Sequence, residues 1–296
     1  MDVIVLGHEI KAVIMMTDND VQNTLTNLAS PDREDYLKAY EIIRVSKDTR
    51  FVEGLILMLR DADLRLQTDC ISLMGYMGDP DTVPMLLDLL HNPKYRDFRA
   101  AIVTALGRIG DSEAVPDLLE LLDSQIDTVL REDVITALGL IGDKRAEEPL
   151  LSLVTDENVY VRQKIAKALS SFKSERVTQA LCGILKDADR SVRGNAIISL
   201  GQIANPVTIP ALDEMLEDDE WYVRLAAVNA LAHFDDDTVI EPLCYALEDP
   251  HHSIRVLAAE TLGNIGNRAA YEPLLRAQKT YKSPAIDTAL KKLKDR

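Results

Sequence analysis

Apolar positions in this chain recur at helical spacing, and the pattern itself then recurs. Across residues 99–106, Ile102, Ala105 and Leu106 stand at i, i+3 and i+4, which predicts an amphipathic helix. A leucine-rich block follows at Leu118-Leu119-Glu120-Leu121-Leu122 and predicts a second helix. The block has counterparts at Leu86-Leu87-Asp88-Leu89-Leu90 and Leu150-Leu151-Ser152-Leu153-Val154, with further copies at Leu181, Leu212, Leu243 and Leu274.

Between the two helices lies a short signature. It reads Met74-Gly75-Tyr76-Met77-Gly78-Asp79, then Leu106-Gly107-Arg108-Ile109-Gly110-Asp111, then Leu138-Gly139-Leu140-Ile141-Gly142-Asp143. Degenerate copies follow at Leu169-Ser170, Leu200-Gly201, Leu231-Ala232 and Leu262-Gly263. The small residue thus stands at 75, 107, 139, 170, 201, 232 and 263, in two steps of 32 followed by steps of 31. A register this tight marks a repeat protein.

Each position in the signature has a physical role. A small residue in the Gly107 column lets the neighbouring helix approach, and Gly110 can take the left-handed conformation that ends a helix. Asp79, Asp111, Asp143, Ser174, Asn205, Asp236 and Asn267 recur four residues after the small column, and all are residue types that cap helix N-termini. Pro80 and Pro206 after two of these caps suit a first helical turn. An earlier copy runs from a cap at Ser30-Pro31 through Tyr36, Ala39 and Ile43, then from Asp48 to Leu55-Ile56-Leu57-Met58-Leu59.

One such hairpin cannot bury its own apolar face, so neighbours must stack into a continuous core. The expected fold is all-α: a right-handed α-α superhelix (solenoid) of about eight helical hairpins. Residues 30–279 form the array, 1–29 an N-terminal cap, and 280–296 a C-terminal capping helix that begins at Ser283-Pro284 and turns Lys291, Lys292 and Lys294 to water. No Gly/Ser linker interrupts the array, so no true domain boundary is placed within it.

These residues resemble the HEAT-repeat family, specifically its short subclass named after phycobilisome lyase subunits. The resemblance covers residues 30–279. A further shared feature is an Asp six residues before an Arg, at Asp156/Arg162, Asp187/Arg193, Asp218/Arg224 and Asp249/Arg255, with the Arg column continuing back to Arg131 and Arg99. The resemblance implies a ladder in which each side chain bonds across to a neighbouring repeat. It also implies that the second helices line a concave face, and that the fold serves as a binding surface.

Length alone, 296 residues, suggested two domains; the period replaces that with one array. Apolar residues make up 47% but aromatics only 5%, so the core is aliphatic. Asp plus Glu number 49 against 33 Lys plus Arg, for a net charge of −16. A polyanion gains little from counterion release on nucleic acid and is repelled by anionic lipid, which argues against both as partners. Three cysteines without a CxxC pair fit a reducing compartment. The start of the chain, Met1 to Glu9, carries acids and an apolar run of five, unlike a signal peptide, so a cytoplasmic location is expected.

Candidate chemistry is thin. Deoxyhypusine hydroxylase, also HEAT-like, needs several His-Glu pairs at equivalent helical positions; here only His8-Glu9 has that dipeptide, and His91, His233 and His251-His252 share no repeat column. Neither a metal nor any other cofactor is expected. Cys182 and Cys244 replace leucines in one column two periods apart, about 20 Å at helix-layer spacing, too far for a disulfide. With Cys70 they read as core thiols. No phosphate-binding glycine loop or nucleophile elbow is present, so catalysis is not expected.

Charge distribution says more. The outward position of the second helices holds Leu57, Asp88, Glu120, Ser152, Gly183, Glu214, Tyr245 and Arg276, with Asp81, Glu113, Asp117, Glu147, Glu148, Glu217 and Glu241 nearby. This predicts a largely acidic groove that turns basic at Arg276 and Lys279, fitted to a basic or mixed-charge protein partner. An ordinary solvated helix face is the other reading. The densest charge, Asp213-Glu214 and Glu217-Asp218-Asp219-Glu220, leads straight into Trp221-Tyr222. Those aromatics either anchor a partner's Lys or Arg or fold over the repeat edge. The candidate contact set is Asp88, Asp117, Glu120, Glu214, Glu217, Asp218, Trp221, Tyr222 and Tyr245. A non-catalytic scaffold or adaptor is the first functional expectation. The alternative, implied by the resemblance, is a phycobilin lyase subunit or chromophore-handling chaperone acting on a biliprotein, with bilin as its ligand.

Overall fold

The computed structural model describes residues 16–61, 63–123 and 126–294. His8-Glu9 and the first half of the expected N-terminal cap lie outside the described residues. Eighteen α-helices and no strand occur among the described residues. The chain forms two compact units, Met1–Ala146 and Glu147–Arg296.

The first unit contains α1 (Asp18–Leu28), α2 (Arg33–Ser46), α3 (Arg50–Asp61), α4 (Leu64–Met77), α5 (Val83–His91), α6 (Arg99–Ile109), α7 (Val115–Asp123) and α8 (Thr128–Ile141). The second contains α9 (Glu147–Leu151), α10 (Val159–Ala168), α11 (Glu175–Ile184), α12 (Arg190–Ile203), α13 (Ile209–Glu214), α14 (Trp221–Leu231), α15 (Ile240–Ala246), α16 (His252–Ile265), α17 (Tyr271–Tyr281) and α18 (Pro284–Lys294). In the first unit α2, α4 and α6 are first helices of hairpins, with α3, α5 and α7 as their second helices, and α8 is a further first helix. In the second unit α9 is a second helix, and α10, α12, α14 and α16 are first helices followed by their second helices α11, α13, α15 and α17.

First helices stack directly on one another. In the first unit α4 packs on α6 and α6 on α8; in the second, α12 packs on α14 and α16 on α18. The small-residue column makes this possible. A methyl group on Gly75 would meet Ala105 Cα at 2.7 Å, and one on Gly201 would meet Ala230 Cα at 2.9 Å. Gly263 stands in the same relation to Ala289 of α18, so the last helix occupies the place of another first helix.

The leucine column of the second helices supplies the other half of the core. Leu86 and Leu118 in the first unit, and Leu150, Leu181, Leu212, Leu243 and Leu274 in the second, are wholly buried. Each is worth about 1.5–3 kcal/mol of apolar burial.

Turns carry the chemistry their residue types allow. Gly78, Gly110, Gly142 and Gly266 end their helices at positive φ, and Ala204 takes the same conformation at φ 51°. All seven residues of the cap column accept a backbone N–H, for example Asp111 from Glu113 and Ser174 from Val177. Six of them cap a short 3-10 turn that feeds the second helix, and Ser174 caps α11 directly. One cap differs from the sequence expectation. Asp32, not Ser30, caps α2 by accepting from the Glu34 and Asp35 amides, while Ser30 Oγ accepts from Asp32 N. The carboxylate reaches two orphan donors where the hydroxyl, two residues earlier, reaches only the turn.

Candidate interaction surface

In the first unit the outward column of the second helices exposes Leu57, Asp88 and Glu120. Asp117 stands one turn before Glu120 and is half-buried; its Oδ1 lies 2.6 Å from His91 Nε2 at the end of α5. Together with Leu90, Arg99, Leu121 and Ile126 these residues enclose a cavity of about 260 Å³.

In the second unit the column exposes Ser152, Gly183, Glu214, Tyr245 and Arg276. Negative charge is concentrated between α13 and α15. Partial burial, followed by the charges of Glu241, Glu217 and Glu214, pushes the Asp213 carboxyl above its ordinary range. Elsewhere on this surface Glu148 is partly neutralised by an ion pair with Arg176.

Asp218 takes its expected place in the ladder and not its place in the candidate contact set. Although it follows Glu217 in the acidic run, it does not present its carboxylate to a partner. Arg193 holds it through Nε to Oδ2 at 2.7 Å and a second nitrogen to Oδ1 at 2.9 Å, and the side chain is 8% exposed. The chain turns inward there because the carboxylate also accepts the Glu220 amide.

Trp221 and Tyr222 fold over the repeat edge. The Trp221 ring stacks on His251, with centroids 4.2 Å apart and planes 10° from parallel, and remains 45% exposed. Tyr222 is half-buried, lies against the backbone of Gly194 and sits 5.5 Å beneath the Arg190 guanidinium. Tyr245, by contrast, is exposed on the acidic face beside Glu241.

The Arg column ties the second unit together. Arg162 bridges to Asp187, Arg193 to Asp218 and Arg224 to Asp249, each at 2.7 Å. The same guanidiniums donate to carbonyls six residues back, as Arg162 does to Asp156 O at 2.9 Å. The Asp156 carboxylate accepts the Asn158 amide. At Arg255 the partner is different: it donates to Asp249 O and Pro250 O and lies 4.1 Å over the Tyr281 ring. In the first unit Arg99 Nε reaches Leu90 O at 3.4 Å, and Arg131 is half-buried on α8.

Burial and charge oppose one another at two carboxylates of the ladder. Burial alone would raise Asp187 and Asp218, but hydrogen bonds from Arg162 and Arg193, local amides and nearby guanidiniums outweigh it, so both are lowered. The thiols are pushed up by burial, Cys70 to about 12 and Cys244 to about 11. Cys182 moves the same way. None is a ready nucleophile at neutral pH. Among the described residues no group of three or more His, Cys, Asp and Glu side chains is placed to hold a metal ion. No helix among them is long and apolar enough to cross a membrane.

Sequence reading passed over one cluster. The Tyr76 ring lies between two guanidiniums, Arg44 at 5.7 Å and Arg108 at 4.2 Å. All three occupy one column of successive first helices, 32 residues apart, which is the signal that would have found them.

Stacked two-helix units with a fixed Gly, cap and Arg column define the α-solenoid class of repeat proteins. The family model for HEAT repeats matches residues 52–139, 127–201, 180–224 and 209–293. The chain belongs to the HEAT-repeat family. Comparison with curated protein sequences finds no significant match. Among solved structures the chain is similar to YibA of E. coli, at 20% identity and a TM-score of 0.57, covering 90% of this chain and 98% of that one. It is similar to the complex of CpcE and CpcF of phycocyanin lyase from Nostoc sp. PCC7120, at 23% identity and TM-score 0.50, over 77% and 93% of the two chains. An engineered protein shows 21% identity and TM-score 0.50, over 96% and 90%. At these identities the likeness is one of fold.

Proposed function

We propose that this chain is a non-catalytic scaffold or adaptor, and that the acidic face of its second helices binds a basic or mixed-charge protein partner in the cytoplasm. The observation that carries this reading is the grouping of Asp213, Glu214, Glu217 and Glu241 on α13, the turn after it and α15, where partial burial and then these neighbouring charges raise the Asp213 carboxyl. Carboxylates held so close on a folded surface cost stability in the free protein, and a cationic partner relieves that cost. Tyr245 on α15 adds an aromatic contact to this face, and Asp88 and Glu120 are contact residues on second helices of the first unit, where Asp117 is bonded to His91. Residues 1–29 and 280–296 act as caps on an array spanning 30–279.

Pull-down from native lysate with cross-link mapping tests this. Cross-links should fall on α5, α7, α13 and α15, and association should slow as salt is raised. Equal association rates at low and high salt, or cross-links confined to first helices, overturn the reading.

A second reading is supported by the likeness to the phycocyanin lyase complex: a phycobilin lyase subunit or chromophore chaperone. Incubation with free bilin, alone and with a phycobiliprotein, tests it. No absorbance change in either arm removes it.

A further inference from the structure

Two cavities on the second-helix side occupy the same repeat position in different hairpins. The one in the first unit is lined by Leu90, His91, Arg99, Asp117, Glu120 and Leu121, with Ile126. The one in the second unit is lined at the corresponding columns by Val154, Thr155, Arg162, Ala180, Gly183 and Ile184, and continues to Asp156, Glu157, Lys186 and Asp187. The first measures about 260 Å³ and the second about 560 Å³.

Three column differences explain the enlargement. His91 and Asp117, which bridge the mouth of the smaller cavity at 2.6 Å, become Thr155 and Ala180, which leave it open. Glu120 becomes Gly183, and a methyl group placed there would meet nothing within 4 Å. The wall opposite also recedes, because α9 is a helix of five residues that breaks into turns at Ser152–Thr155, where α5 and α7 run for nine.

The result is a notch with an apolar lining of Val154, Ala180, Gly183 and Ile184. Its polar floor is already engaged, since Arg162 spends its donors on Asp187 and on the carbonyls of Asp156 and Glu157. An apolar side chain would lose water from its surface and displace water from theirs. Gly183 stands in the same outward column as Glu214, one repeat before the acidic cluster.

We propose that the Gly183 notch is an anchoring site for one aliphatic or aromatic side chain of the partner, carried on a segment whose basic residues meet Glu214, Glu217 and Glu241. The anchor rests on the acidic-face reading for the segment's charge. Central apolar anchors in a charged surround are how most interface energy is concentrated.

Three fluorescein-labelled nine-residue peptides of lysine and serine, identical except for a central Ala, Leu or Phe, test the proposal with the full chain. The Leu or Phe peptide should bind about tenfold to a hundredfold tighter than the Ala peptide. Gly183→Leu, which fills the notch, should erase that difference. Ala180→Leu fills it from the same helix and gives the same result should Gly183→Leu melt early. Glu214→Lys with Glu217→Lys should weaken all three peptides together. Equal affinity for Ala, Leu and Phe, or a preference that survives both filling variants, overturns the anchor while salt-dependent binding keeps the acidic face. Peptide binding indifferent to salt and to the charge reversal overturns the acidic face instead.

Discussion

Gly107 is in contact with Ala137 so closely that no side chain fits between them. A methyl group on Gly107 would stand 2.7 Å from Ala137 Cα, a backbone atom that cannot move without shifting α8. Gly107→Ala should therefore destabilise by about 1–3 kcal/mol, the usual cost of overpacking. Gly183→Ala, with open space around it, should stabilise by about 0.5–1 kcal/mol as an ordinary helix substitution. Urea titration of the two variants reads both, and equal effects would refute the contact argument.

Ala204 ends α12 at φ 51°, where Gly78, Gly110, Gly142 and Gly266 stand in the equivalent turns. An L-residue there is strained by roughly 1–2 kcal/mol. Ala204→Gly should recover about 0.5–1 kcal/mol, because glycine's greater freedom in the unfolded chain offsets part of the gain. A raised thermal midpoint would record it.

Arg193→Met would leave Asp218 buried without its counter-charge, at a cost of about 3 kcal/mol. Arg193→Met with Asp218→Leu should recover most of the loss. The pair also sets an acid dependence. Because Asp187 and Asp218 are lowered in the folded state, their contribution is full above the ordinary carboxylate range. It is lost as pH falls through the lowered folded values. The gap between wild type and Arg193→Met in denaturation curves should thus be full at pH 7 and shrink as pH is taken below the ordinary carboxylate range.

Asp213 has the opposite sign. Its raised carboxyl means that the folded state holds a proton more readily than the unfolded chain, so ionisation opposes folding. Asp213→Asn should stabilise at neutral pH, and the advantage should vanish as pH drops through the carboxylate range. An advantage that persists in acid would place its origin elsewhere than in charge.

Much of this organisation is legible in one dimension. The Gly107 and Asp111 columns follow from the period, because close helix approach and helix capping are local demands met by single residue types. Asp218 shows where that stops. In one dimension it has two places, one in an acidic run and one in the Asp/Arg column, and only the fold selects the second, through Arg193, 25 residues earlier on another helix. Ser30 failed as a cap for a related reason: two capping types stand two residues apart, and only the backbone path selects Asp32. The notch at Gly183 needed both a missing side chain and the early end of α9, and neither is a pattern in sequence.

The Trp221–His251 stack makes one junction of the second unit optically distinct. Trp221 is the single tryptophan of the chain, so its emission reports the surroundings of the start of α14, where it meets the turn before α16. Circular dichroism follows all helices at once. A denaturation experiment recording both signals would therefore separate the loosening of that one seam from the loss of the whole array, without a label being added.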